Sequence, residues 1–196
     1  MAESLEFDLT LYPSPVLRKV ASPIEAFDDE VKGIVAGMFE RMYESSGVGL
    51  AAPQVGLKLR ILVYNETGDP EQKDKEVVLI NPVITSRTGD TTHYDEGCLS
   101  FPGIYAEIAR PDACTVEAQD ADGQPVKLEL SGFESRIVQH EHDHLEGILL
   151  VDRMSAGDKL RNKGALEELV ERYKACLLYT SPSPRDLSTS RMPSSA

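Results

Sequence analysis

Tryptophan is absent from the 196 residues, and aromatic side chains of every kind make up only 6%. Single-stranded nucleic acid is gripped on aromatic stacking platforms, so this scarcity argues against such a ligand. Positive charge is also short. Twenty Lys and Arg stand against 33 Asp and Glu, a formal net charge of −13. A phosphate backbone calls for a basic surface, and specific nucleic-acid binding is not expected. The three cysteines, Cys98, Cys114 and Cys176, cannot build a disulfide framework and point to a reducing compartment. No run is long and apolar enough to span a bilayer, so no membrane binding is expected. The first ten residues carry Glu3, Glu6 and Asp8 and no basic patch before an apolar stretch. That pattern fits neither a secretion signal nor an Arg-rich transit segment, and a cytoplasmic protein is the expectation.

The chain is 41% hydrophobic and 27% charged, enough apolar content for one sizeable core. Asp28 or Asp29 can cap a helix reaching about Ser45. Val31, Ile34, Val35, Met38, Phe39 and Met42 recur in it at helical spacing and form a core stripe. Strands are predicted over 60–64, 76–86, 104–109, 113–119 and 126–130, with polar loops at 65–75 and 87–93. A second helix is predicted over 132–146, closed by Gly147, and Ser155 can cap a last helix over 156–174. These elements suit one α+β domain over residues 1–175. From Cys176 the composition turns abruptly to Ser, Pro and Thr. Back-translation of 176–186 and 190–196 can be written in codons resembling a transposase-type sequencing adaptor, which reads 176–196 as a non-native tail.

The second helix carries the chemistry. Three of the four histidines fall in the run His140-Glu141-His142-Asp143-His144. His140 and His144 are one turn apart, so their imidazoles share a face, the spacing two ligands of one metal ion need. Glu141 can reach water on that ion as a base. His142 points away and reads as a surface or packing residue, and Asp143 as an orienting group. A solvated helix that merely contains two histidines is the plain alternative. Upstream, Cys98 lies in Glu96-Gly97-Cys98-Leu99-Ser100. A thiolate with two imidazoles leaves one position of a tetrahedral ion open, the catalytic form of such a site. Further upstream, the glycines of Gly47-Val48-Gly49-Leu50-Ala51-Ala52-Pro53-Gln54 allow close backbone approach, and Gln54 brings an amide that can donate to an oxyanion.

These three segments, in this order, resemble the three signature motifs of the peptide deformylase family, and the flanking residues resemble its bacterial type. The likeness extends from about Leu11 to Ser155. It implies an α+β fold in which small antiparallel sheets pack around the helix bearing the two histidines. It implies a hydrolase that removes the formyl group from the N-formylmethionine of new polypeptides. Carried onto this chain, it implies Cys98, His140 and His144 as metal ligands, Glu141 as general base and acid, and Gln54 with the Leu99 N–H as oxyanion donors. It implies Fe(II) as the ion, with Zn(II), Ni(II) and Co(II) acceptable to the same ligands. Gly47, Val48, Gly49, Glu96, Gly97 and Ile137 are the expected substrate-binding residues, and Arg136 either lines that pocket or pairs with a carboxylate. The expected partners are the nascent polypeptide and the ribosome, and a monomer is the default. Two other readings compete. A zinc endopeptidase needs a third ligand downstream, for which Glu146, Glu167 and Glu168 are candidates. A non-catalytic metal-binding module needs neither Glu141 nor Gln54.

Overall fold

Asp28 starts the first helix. Its carboxylate accepts from the Glu30 and Val31 amides, and α1 runs over Asp29–Glu44. The apolar stripe read from the sequence is its buried face, with Val31, Ile34, Val35, Met38 and Met42 packed against Leu50, Ile61 and Ile80. The structure, a computed structural model, describes residues 5–180. The tail assigned above to 176–196 falls outside these from residue 181 onward.

Five strands follow in chain order and pair in that same order, all antiparallel: β1 (Gly49–Ala51), β2 (Ile61–Tyr64), β3 (Val77–Gly97), β4 (Tyr105–Gln119) and β5 (Pro125–Ser131). The expected α+β architecture is present, with the strands hydrogen-bonded into one sheet rather than several. Helix α2 (Gly132–Leu145) lies across β4, β1 and β2. Its Ile137, Val138 and Leu145 bury against Leu62, Leu79 and Val116, each worth roughly 1.5–3 kcal/mol relative to exposure. Three further helices follow, two short and one long: α3 (Leu150–Arg153), α4 (Ala156–Arg161) and α5 (Lys163–Thr180). Leu150, Met154 and Leu169 cover Phe101, Ile104 and Ile108 behind the cysteine motif.

Three expectations need correction. Residues 87–93 are not a loop but the middle of β3, paired with β4 from Arg87↔Cys114 to His93↔Ala109. Thr88, Thr91 and Thr92 are β-branched and sit well in a solvent-facing ribbon, and Gly89 at φ 79° takes up a register shift there. The strands predicted at 104–109 and 113–119 are likewise one strand. The last helix is broken at Asn162, whose side chain donates to the Tyr105 carbonyl at 2.9 Å and so leaves the helical run. Two boundaries hold: Ser155 caps α4 through the Asp158 amide, and Gly147 at φ 71° ends α2. A Cβ on Gly147 would stand 2.7 Å from the Arg18 carbonyl oxygen, so glycine is required there for space as well as for conformation.

Candidate metal centre and active site

The end of β3, the middle of α2 and the turn after β1 meet at one cavity of about 580 Å³. Cys98 follows the last residue of β3. His140 and His144 project from one face of α2 with ring centroids 5.2 Å apart. One ligand atom from each of the three lies within 4.8 Å of the others, and Cys98 Sγ is 3.2 Å from His144 Nε2. Thiolate sulfur and imidazole nitrogen at this spacing fit a single divalent ion of the zinc or iron kind. Burial and the charges of His140 and Arg110 push the His144 pKa well down, whereas at His140 burial is outweighed by the hydrogen bonds of Cys98 and Glu96, which push its pKa well up.

Glu141 stands beside this trio. Its Oε2 is buried without a hydrogen-bond partner among the described residues, and burial pushes its carboxyl up to about 7 against the pull of His140 and Arg110. Gln54 sits in a 3-10 turn (Ala52–Val55) and accepts the Ala51 amide on Oε1 at 2.8 Å. Its amide orientation is thereby fixed, and Nε2 faces Cys98 Sγ at 3.6 Å.

The glycines prove to be contact points. A Cβ on Gly49 would lie 2.7 Å from Glu141 Oε1, and one on Gly47 would lie 2.8 Å from a Leu99 methyl carbon. Gly97 likewise leaves room for the Tyr105 ring at 2.8 Å. Val48, Leu99 and Ile137 line the same cavity. Glu96 lines its wall too, but its carboxylate is engaged elsewhere, accepting from His140 Nδ1 at 2.9 Å, from Arg110 twice (2.7 and 2.9 Å) and from Arg136 at 2.7 Å. Burial pushes Glu96 up, yet His140 and Arg110 outweigh it and hold the carboxyl at about 2. The Glu96–His140 bond fixes which ring nitrogen faces the cavity.

Arg136 lines the cavity and also pairs with the buried Glu96 carboxylate, its guanidinium 5.7 Å from the Tyr94 ring centre. Asp143 accepts from Arg110 at 2.8 Å and from Arg153 at 2.6 Å. His142 is nearly covered and packs 3.8 Å from Glu146, whose carboxylate holds Arg60. Neither Glu146 nor Glu167 nor Glu168 joins the Cys98, His140 and His144 group. Arg110 and Arg153 escaped the sequence reading. Arg110 is one basic residue in a strand before Pro111, and no local pattern marks it as the centre of a buried ion network.

A cysteine sulfur and two imidazoles close enough to share one ion, with a carboxylate alongside, define a metallohydrolase-type site. Residues 7–160 match the family model of polypeptide deformylase. The chain is 43% identical over 179 residues to peptide deformylase 1B of Arabidopsis thaliana, which is chloroplastic or mitochondrial; the match covers 88% of this chain and 64% of that longer protein. It is 43% identical over 157 residues to peptide deformylase of Chromobacterium violaceum, covering 80% of this chain and 92% of that one. A plant peptide deformylase crystal structure superposes with a TM-score of 0.85 at 42% identity, covering 91% of this chain and 95% of that one. The chain belongs to the polypeptide deformylase family. Plant organellar and bacterial relatives thus match at similar identity. None of the described helices is long and apolar enough to cross a membrane.

Proposed function

We propose that this chain is a metal-dependent hydrolase that removes the formyl group from the N-terminal formylmethionine of newly made polypeptides, releasing formate. The observation that carries the reading is the convergence of Cys98, His140 and His144 with the unpartnered Glu141 oxygen and the oriented Gln54 amide on one cavity. Cys98, His140 and His144 would hold a divalent ion, which would supply Lewis-acid polarisation and lower the pKa of a water there. Fe(II) is the ion we assign, with Zn(II), Ni(II) and Co(II) suited to the same donors.

The chain's own groups do the rest. Glu141 takes a proton from the attacking water and returns it to the amine as the C–N bond breaks. Gln54 Nε2 and the Leu99 N–H donate to the negative charge that grows on the formyl oxygen. Val48 and Ile137 offer apolar contact to the methionine side chain. Gly47, Gly49 and Gly97 offer their backbone groups to the peptide along the cavity wall. Glu96 acts on the reaction through His140.

Anaerobic loading with Fe(II) or Ni(II), then measurement of formate from a formyl-Met tripeptide, tests this. Metal-dependent turnover that vanishes in Glu141→Ala is the expected result. A folded, metal-loaded chain that yields no formate overturns it. The same reading takes the enzyme as a cytoplasmic monomer that meets its substrate at the ribosome. Gel filtration and co-sedimentation with ribosomes check both. It also takes residues 176–196 as translated adaptor, which resequencing the source gene by an independent route decides.

A further inference from the structure

The polar loop after β2 is built around one buried side chain. Asn65 is fully covered, although it opens a segment whose composition reads as exposed. Its Nδ2 faces the Tyr43 hydroxyl at 3.0 Å and the carbonyls of Asp69 and Gln72 at 3.2 Å each. Its Oδ1 accepts the Thr67 amide and hydroxyl at 3.0 and 2.7 Å. Tyr43 in turn reaches Glu76 Oε1 at 3.0 Å, so α1, the loop and the start of β3 are tied at one point.

The Asn65 backbone has a second engagement. Its N–H donates to the Val48 carbonyl at 2.9 Å, the outermost rung of the β1–β2 ladder. In an antiparallel pair, successive residues turn their N–H and C=O groups to opposite edges. Val48 faces β2, so Gly49 faces the free edge. Ala51 fits the same alternation, because its N–H leaves the sheet to reach Gln54. Strand β1 has only three residues and one paired neighbour, so this rung holds its outer end. The loop also backs it sterically, since a Cβ on Gly68 would stand 3.4 Å from a Val48 methyl carbon.

We propose that Asn65 is a positioning residue for substrate binding, acting through Val48 to present the free edge of β1, and Gly49 in particular, to an extended peptide. This rests on the functional reading above and extends it. Asn65 hydrogen-bonds to none of the metal ligands, Glu141 or Gln54, and Ala51 holds Gln54 from the opposite end of β1, so its effect falls first on binding of the peptide.

The test is Asn65→Asp. The change keeps shape and the Thr67 bonds but sets a carboxylate oxygen against the carbonyls of Asp69 and Gln72 and against a Tyr43 hydroxyl already donating to Glu76. KM for a formyl-Met tripeptide should rise about tenfold with kcat within about twofold, the pattern of lost uniform binding. Metal content per chain should not change, and hydrogen exchange should quicken at the amides of 48–50. Tyr43→Phe, which removes one of the three acceptors, serves if Asn65→Asp does not fold. It should raise KM about two- to threefold on the same logic. An unchanged KM in a folded variant, or a fall in kcat at constant KM, overturns the proposal. Wild-type chain assayed alongside separates the two readings. Formate from wild type with an unmoved KM in the variant refutes only the role of Asn65, whereas no formate from wild type refutes the deformylase reading itself.

Discussion

Replacing Gly49 with alanine probes the site at its tightest point. The added methyl would lie 2.7 Å from Glu141 Oε1, 2.8 Å from Ile137 Cγ2 and 3.1 Å from Glu141 Cδ. Ordinary carbon–oxygen contact begins near 3.4 Å, so something must yield by more than half an ångström. Ile137 is buried within α2, and Ala51 ties β1 to Gln54 through its N–H. The carboxylate of Glu141, free on Oε2, is the group that gives way. A catalytic group displaced by up to about 1 Å costs roughly 10²-fold in rate, or about 2.7 kcal/mol in the barrier. Overpacking should cost about 1–3 kcal/mol of stability, which leaves a chain of this size folded at assay temperature. The metal ligands are untouched, so metal content should match wild type. The assay is formate release from a formyl-Met tripeptide at saturating and limiting substrate. Gly164→Ala, on α5 with no atom within 4 Å of its Cβ, is the control and should keep full activity. Metal-loaded Gly49→Ala with turnover within threefold of wild type would refute both the placement of Glu141 and its role.

Glu141→Ala should retain metal, measured by elemental analysis, and lose nearly all turnover. Glu96→Gln leaves Arg110 and Arg136 buried beside a neutral partner, and thermal unfolding should register a loss of about 3–5 kcal/mol together with weaker metal retention. Gly147→Ala meets both the Arg18 carbonyl and a left-handed φ of 71°, for a loss of about 2–4 kcal/mol readable in the same melt. Tyr64 is buried, and burial with the nearby Glu134 raises its pKa above the ordinary 10.0. Its neutral form therefore stabilises the fold fully below pH 10, and that contribution is lost as pH rises beyond it. Tyr64→Phe should flatten the alkaline fall in stability, as followed by denaturant titration at several pH values.

The pieces of this site legible in the sequence are those set by short-range geometry. His140 and His144 share a helix face because four residues make one turn, and that was visible without any fold. The α1 stripe and the caps at Asp28 and Ser155 were visible for the same reason. The glycines of the first motif could be marked for close approach, but their partners could not. That Gly49 abuts Glu141 depends on how α2 crosses β1. Arg110 could not be found, because a buried arginine is identified by the carboxylates that fold against it, here from β3 and α2. Residues 87–93 looked like a loop because a two-sided solvent-exposed ribbon carries no alternation of apolar and polar side chains. Asn65 sat in a stretch that composition alone marks as surface, while its many hydrogen bonds place it inside.

The strand order of the sheet is the order of the chain, with no crossover. Each strand can therefore pair with the one made just before it, and no early segment must wait for a distant one to complete its ladder. During synthesis the sheet can grow from its first hairpin as the chain emerges. The reactive centre cannot do the same. Cys98 leaves the end of β3, but both histidines come with α2, after β4 and β5 have been laid down. Capture of the ion is thus a late event in the birth of each molecule. On the deformylase reading proposed above, the thiol waits on a nearly finished scaffold, and a newly made copy gains its reactive centre only when α2 docks.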